Sequence, residues 1–253
     1  RVAGKGIRLL ETAGIEVNLG LCENEALELN KSFIHKNLNG FSYGVLKWAM
    51  SIDGRIGLKN GESKWISNAN SRSLVHSLRA DFDAVVIGGN TLRNDDPLLT
   101  SRSKKYPEPL RVVFTKSLDL PAKRNLWDCS IAKTLVVYDG SSADERFLKR
   151  LPKCIEIAKL PSDNPKLLAK LLARRGFNKI LWETGPSLST AAIKNGCIQE
   201  TFTFIAPKII GGINSMSPLA DFNFENMSQV YKLNEGKIRV IDGDIFIEKK
   251  III

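Results

Sequence analysis

Residues 163–183 read DNPKLLAKLLARRGFNKILWE, and this stretch decides the fold class. Asn164 is placed to cap a helix, and Pro165 suits the first helical position, where no backbone N–H is needed. Leu167, Leu168, Leu171 and Leu172 then recur on one side of a 3.6-residue period. Gly176 follows the basic pair Arg174 and Arg175, the chemistry of a helix end. KILWE (179–183) returns as a strand. A one-sided helix that leads straight into a short apolar strand is the repeating unit of an α/β domain.

Working outward, the same alternation starts near residue 44. YGVLKWAM (43–50) predicts a first strand. In SNANSRSLVHSLRADF (67–82), Ser67 is placed to cap a helix whose Leu74, Val75, Leu78 and Phe82 share a face. Ala84 to Ile87 predicts a buried strand, followed by strands at RVVF (111–114), TLVVY (134–138) and IEIA (155–158). Beyond the opening stretch, SLSTAAIKNG (187–196) predicts a short helix ended by Gly196, and ETFTFIA (200–206) alternates as a strand. KIRVIDGDIFIEKKIII (237–253) sets Asp242-Gly243 between two alternating runs, which predicts a closing β-hairpin and a mixed sheet. Residues 1 to 40 stand apart: a helix over 7–13, a short strand over 15–17 and a helix over 24–37 are too little to form a core alone. NLNGFS (37–42) reads as a linker.

The 253 residues, 43% of them hydrophobic, allow one large domain or one domain with an appendage. No apolar run approaches the roughly 20 residues that cross a bilayer, and the start lacks a signal-peptide stretch, so the expected location is the cytosol. Arg at position 1 suggests a processed or partial chain. The excess of 37 Lys+Arg over 27 Asp+Glu has a plain reading, solubility, and a sharper one, attraction of phosphorylated partners. The charges are dispersed and no basic segment is interleaved with aromatics, which argues against nucleic acid. Cys22, Cys129, Cys154 and Cys197 form no close pairs and read as reduced thiols. His35 and His76 are the only histidines and read as ordinary helix residues; no metal site is expected.

Three strand ends run into glycine turns: IGGNT (87–91), WETGPS (182–187) and PKIIGG (207–212). In open α/β sheets such ends gather ligands. At the second, Gly185 permits close backbone approach, and Ser187 to Thr190 offer amides and hydroxyls at a helix start, chemistry suited to a pyrophosphate. A plain structural turn is the alternative. Neither a GxGxxG turn in a strand-to-helix context nor a Walker A loop occurs, so a conventional Rossmann domain is excluded.

LKWAMSIDGRIGLKNGESKWIS (46–67) contains the S-x-DGR pattern of Ser51, Asp53, Gly54 and Arg55, and then GESKW (61–65). With SLRADFDAVVIGGNTLRNDDPLLTSR (77–102), ETGPSL (183–188) and APKIIGG (206–212) in the same order, the chain closely resembles the reductase domain of the bifunctional riboflavin-biosynthesis deaminase/reductase. VAGKGIRLLETAGIEV (2–17) looks like the trailing end of that family's deaminase domain. The resemblance therefore divides the chain into a deaminase remnant plus linker (1–40) and a reductase domain (41–253). The His-x-Glu and Pro-Cys-x-x-Cys zinc motifs of a catalytic deaminase are not in this sequence.

The resemblance implies a dihydrofolate-reductase-like three-layer α/β sandwich with a mixed central sheet and a C-terminal β-hairpin. It implies NADPH as cofactor, and reduction of 5-amino-6-(5-phosphoribosylamino)uracil at ribose C1′ after ring opening. A homodimer or larger homo-oligomer is implied as well. Reduction of another pterin or pyrimidine, or a non-catalytic assembly role, stands as the alternative. Carried over by position, Ser63, Arg79, Leu99, Arg102 and Glu183 correspond to substrate contacts. Ala49, Trp65, Thr91, Asp95 and the run Gly185, Pro186, Ser187, Leu188, Ser189, Thr190, Ala191 correspond to cofactor contacts. Lys47, Asp95 and Glu183 are the catalytic candidates around the reacting sugar. Each has a plainer reading: Lys47 as a solvent-facing strand residue, Asp95 as a loop anchor, Glu183 as an ion-pair partner, Arg79 as a helix-end charge, and Trp65 as a core aromatic. Asp96, before Pro97, reads as a turn former, so a paired-carboxylate mechanism with Asp95 is rejected. The sequence departs from the family at Thr184, where a small residue is usual, and at Thr115-Lys116, where Asp-Ser is usual.

Overall fold

The apolar runs pair side by side, the central ones buried on both faces and the outer ones exposed. In the computed structural model, which describes residues 4–102, 104–141, 143–234 and 236–252, they form one ten-stranded sheet. Its order is β5 (Glu156–Leu160), β4 (Thr134–Asp139), β3 (Leu110–Thr115), β2 (Ala84–Gly88), β6 (Lys179–Trp182), β1 (Tyr43–Ser51), β7 (Glu200–Ala206), β10 (Asp244–Ile252) and β8 (Lys232–Leu233); β9 (Ile238–Ile241) also pairs with β10. Pairings among β1 to β7 are parallel, and β10 is antiparallel to β7, β8 and β9, so the sheet is mixed as expected.

Side chains alternate across it with the period of two that a pleated strand imposes. Val45, Val85, Ile87, Val113 and Leu181 enter one core layer; Leu46, Ala84, Val86, Val112, Ile180 and Trp182 enter the other. Val75 of α4 (Ala69–Arg79) and Leu92 of α5 (Gly89–Asp95) join the first layer. Leu168 and Leu172 of α6 (Pro165–Arg174), with Ala192 and Ile193 of α7 (Pro186–Lys194), join the second. Each such fully buried aliphatic side chain contributes about 1.5–3 kcal/mol relative to an exposed one. The three layers and the terminal hairpin are the architecture that the resemblance implied.

Helix α6 starts as read: the Asn164 side chain accepts from the Lys166 N–H at 2.8 Å, with Pro165 next and Gly176 at φ 93° past the end. The hairpin turn also holds, with Asp242 at φ 49° and Gly243 at φ 88°, the left-handed pair that a two-residue turn needs. For α4 the cap is Asn68 rather than Ser67. Its side chain accepts from Ser71 N–H at 2.8 Å and donates to the Ile241 and Asp242 carbonyls at 2.7 and 2.8 Å, so contact with the hairpin selects it.

The N-terminal segment differs more. It folds as α1 (Lys5–Thr12), α2 (Glu23–Leu29) and α3 (Lys31–Asn39), with no strand at 15–17. The helix expected over 24–37 breaks at Asn30, whose side chain turns back to donate to the Ala26 carbonyl at 2.9 Å. Asn37 to Asn39 belong to α3 rather than to a linker, Gly40 turns the chain at φ 72°, and Phe41 and Ser42 are buried.

Cys129 and Cys154 form a disulfide with Cα atoms 6.3 Å apart, which corrects the reading of all four cysteines as reduced thiols. The reason is topological. Cys129 lies shortly before β4 and Cys154 just before β5, and the parallel pairing of these strands sets their approaches side by side. Cys197 is a buried free thiol and Cys22 an exposed one. Among the described residues no helix is long and apolar enough to cross a membrane, and no metal-ligating cluster occurs.

Candidate active site

Strands β2 to β5 step outward in chain order, and β6 then returns to lie between β2 and β1. Where the order of parallel strands reverses, their carboxyl ends diverge and leave a crevice. Glu183 is the first residue past β6, its N–H held by the Val86 carbonyl at 2.9 Å. The β1 register pairs Leu46 with Trp182, which brings Lys47 beside Glu183. Arg79 arrives from the last turn of α4.

These three side chains form one buried cluster. Arg79 donates through Nε to Glu183 Oε1 at 2.7 Å and through Nη2 to Oε2 at 3.1 Å, while Lys47 Nζ lies 3.7 Å from Oε2. Arg79 Nη1 donates to the Thr100 carbonyl at 3.1 Å. Burial alone would raise the Glu183 carboxyl, but Arg79, Lys47 and the hydrogen bonds overrule it and hold it at about 2. Burial pushes the Lys47 ammonium below its ordinary value, with Glu183 opposing and Arg79 assisting. The two cationic neighbours of Glu183 thus favour its anionic form.

Beside this cluster runs a cleft of about 430 Å³. One wall is Gly88, Thr91 and Asp95 at α5; the other is Gly185, Pro186, Ser187, Leu188 and Ala191 at α7. Ser63 and Gly61 close one side, and Lys116 and Ser117 follow β3 at the rim. Neither α5 nor α7 has a side-chain cap, so first-turn amides remain for an anion, and the dipole favours one there. Lys116 Nζ, 3.6 Å from Asp163 Oδ2, adds positive charge. Asp95 behaves opposite to Glu183. Burial raises its carboxyl above the ordinary range, and nearby Lys64 and a Ser63 hydrogen bond only partly offset this.

Comparison with known proteins decides the family, because the model of the RibD C-terminal domain matches residues 42–247. The chain belongs to that family. It is 39% identical over 244 residues to the riboflavin biosynthesis protein RibD of Synechocystis, covering 96% of this chain and 66% of that protein. It is 41% identical over 255 residues to the chloroplastic riboflavin biosynthesis protein PYRR of Arabidopsis thaliana, covering 96% of this chain and 42% of the relative. Among solved structures, a diaminohydroxyphosphoribosylaminopyrimidine deaminase/5-amino-6-(5-phosphoribosylamino)uracil reductase from Thermotoga maritima superposes with a TM-score of 0.82 at 25% identity, over 99% of this chain and 68% of that one. This chain thus spans less than two thirds of the length of the Synechocystis and Arabidopsis relatives.

Within this RibD-type domain, the predicted residues separate into groups. Lys47, Arg79 and Glu183 meet in the cluster; Ser63, Thr91, Asp95, Gly185, Pro186, Ser187, Leu188 and Ala191 line the cleft. Asp95 bonds with Ser63, and no hydrogen bond or ion pair among the described residues joins it to Lys47 or Glu183. Leu99, at φ 54°, is buried in the core, side chain and backbone alike; Arg102, at φ 53°, is exposed. Ala49 packs against the core rather than lining the cleft.

Ser189 and Thr190 spend their hydroxyls internally, on the Thr184 carbonyl at 3.0 Å and the Ala220 carbonyl at 3.3 Å, which corrects the view of them as free donors. Thr184 does not crowd the turn: its hydroxyl, 2.8 Å from Ser189 Oγ, faces inward. Trp65 is 62% exposed and not a core aromatic; Arg72 covers its ring at 4.4 Å and Lys208 Nζ donates to its carbonyl at 2.6 Å. Asp96 is the turn former expected, at φ 43° with its carboxylate accepting from Asn125 N–H at 2.9 Å. His76, read as an ordinary helix residue, has Nδ1 3.3 Å from Arg79 Nη1. Its place three residues before Arg79 on one helix face was the available signal.

Proposed function

We propose that this domain reduces 5-amino-6-(5-phosphoribosylamino)uracil to the phosphoribitylamino compound, with NADPH as the reductant. The observation that carries the reading is the buried Lys47–Glu183–Arg79 cluster at the strand ends, directly beside a cleft with two uncapped helix starts. A dinucleotide fits that cleft by chemistry: Gly185 allows close backbone approach, α7 offers amides to the pyrophosphate, and Lys116, paired with Asp163, lines the same cleft. When bound, the nicotinamide supplies the two electrons and one hydrogen that end on C1′.

The chain's own residues do the remainder. Arg102, exposed in the loop after α5, holds the phosphoester. Ring opening breaks the C1′–O4′ bond, so O4′ must gain a proton while the glycosylamine nitrogen forms a double bond to C1′. Asp95, whose carboxyl is raised by burial, holds a proton to higher pH than an ordinary carboxylate and is the donor in this reading. Glu183 stays anionic and, with Lys47, orients the sugar hydroxyls and the charge that develops at nitrogen. Residues 1–40 are read as the tail of a deaminase domain with its connection.

The test mixes purified protein, NADPH and the phosphorylated pyrimidine and follows nicotinamide absorbance. Consumption that depends on the phosphorylated substrate is expected. Dinucleotide binding without consumption would instead favour an assembly role, and consumption with unphosphorylated pterins would favour another substrate.

A further inference from the structure

We propose that His76 is a positioning residue for the phosphate end of the substrate: it accepts from Arg79, which donates to the Thr100 carbonyl, and thereby fixes the loop that presents Arg102. The inference rests on the phosphoribosyl reading above and extends it to a residue outside the cluster and the cleft.

The geometry is a triangle. Arg79 Nη1 lies 3.1 Å from the Thr100 carbonyl oxygen and 3.3 Å from His76 Nδ1, and Nδ1 lies 3.3 Å from the same carbonyl. Nε and Nη2 of Arg79 are already committed to Glu183. Nη1 carries two hydrogens. One goes to Thr100, and the other finds an acceptor at Nδ1 only when that nitrogen is unprotonated and the ring proton sits on Nε2.

The loop needs such ties. Leu99 and Arg102 both adopt left-handed backbone, at φ 54° and 53°, a conformation that disfavours non-glycine residues. The burial of Leu99 restrains one end, and the Ser101 N–H donating to Glu108 Oε2 at 2.6 Å restrains the other. Between them the Thr100 carbonyl is tied to Arg79 Nη1, whose other hydrogen is directed to His76 Nδ1, a fork centred on Arg79. Through Arg79 the same fork reaches Glu183 and Lys47, so one side chain coordinates the phosphate loop with the reacting end.

The charged groups acting on His76 are Arg79 on its own helix, Arg102 on the loop and Glu183 past β6; Lys47 lies behind Glu183, and Lys104 bonds the neighbouring Ser77. Burial, then Arg79 and Arg102, hold the imidazole below its ordinary value, which favours the neutral ring; the fork further requires the tautomer whose proton is on Nε2. A proton on Nδ1 would remove the acceptor and face Arg79 with a like charge. The fork is therefore present at neutral and basic pH and opens as pH falls through the His76 value.

The test has two arms. With NADPH and the phosphorylated substrate, His76→Ala should raise KM about tenfold while kcat stays within about threefold, and His76→Asn, which retains an acceptor oxygen, should recover most of the loss. Wild-type KM should climb as pH falls through the lowered His76 value, and the His76→Ala profile should lack that rise. A fall in kcat at unchanged KM, or identical pH profiles of KM, overturns the proposal. The second arm needs no turnover: imidazole 15N shifts of the wild-type chain, which has only two histidines, should show Nδ1 of His76 unprotonated at neutral pH. Ribose 5-phosphate should perturb that signal and leave His35 unchanged, since burial holds His35 at about 4. A protonated Nδ1, or no response to ribose 5-phosphate, contradicts the role of His76. Absence of NADPH consumption together with the expected shifts would instead fault the assigned reaction and leave the fork standing.

Discussion

At the ends of β1 and β6 the charged side chains have already found one another, whereas along the cleft between α5 and α7 the helix starts carry no side-chain cap. The first region resembles a finished circuit: Glu183 receives two hydrogen bonds from Arg79 and the approach of Lys47 before any ligand arrives. The second is an open cleft whose helix starts present backbone amides. The difference matches the demands on each. Charge that must be in place when bonds change is best preorganised. A long ligand with its own phosphates is best met by amides that need no rearrangement.

The contrast predicts different failures. Glu183→Ala should hurt most, because it leaves Lys47 and Arg79 buried without their anion. A stability loss of about 3–5 kcal/mol is expected, together with near-complete loss of turnover, by denaturant titration and NADPH oxidation. An unchanged midpoint would mean that the cluster is not coupled. Asp95→Asn should cut turnover by about 10²–10⁴ and leave the fold intact. Because burial raises this carboxyl in the folded state, its ionisation opposes folding above its ordinary range, so the asparagine variant should melt no lower than wild type at neutral pH. If Asp95 is the acid, turnover should decline as pH rises through its elevated value; a profile unchanged in the variant would remove it from the mechanism.

Reducing the Cys129–Cys154 disulfide tests whether the outer strands are independent of the site. The cross-link spans 25 residues, for which loop closure predicts a loss of about 3 kcal/mol, while dinucleotide affinity should stay within about twofold. A large affinity change would mean that β4 and β5 help to shape the cleft. The smallest effect is expected from Lys116→Ala at the cleft rim, about fivefold to tenfold weaker NADPH binding by fluorescence titration and little change in melting.

Elements whose instructions are local were readable from the chain. Asn164-Pro165 and the leucine pattern specify α6, and Asp242-Gly243 specifies the hairpin turn. Where two local signals competed, distant contact decided: Ser67 and Asn68 are both good caps, but only Asn68 also bonds the hairpin. The disulfide carried no sequence signal at all, since the pairing of β4 with β5 brings its halves together. In the site, the motif residues fell into place as a cluster and a cleft, yet their division into two groups was invisible. Ser189 and Thr190 looked like donors because their hydroxyls have no visible partner until the fold supplies Thr184 and Ala220. His76 was passed over because a single helical histidine gains meaning only from the loop packed against it.

A crystal structure with NADP and the phosphoribityl product bound together tests the central claim most directly. The account predicts the pyrophosphate at the start of α7 beside Gly185, the sugar C1′ between the nicotinamide and the Lys47–Glu183 pair, and the phosphoester against Arg102. A dinucleotide lying elsewhere, or one whose nicotinamide points toward Lys116 and away from Glu183, would contradict it.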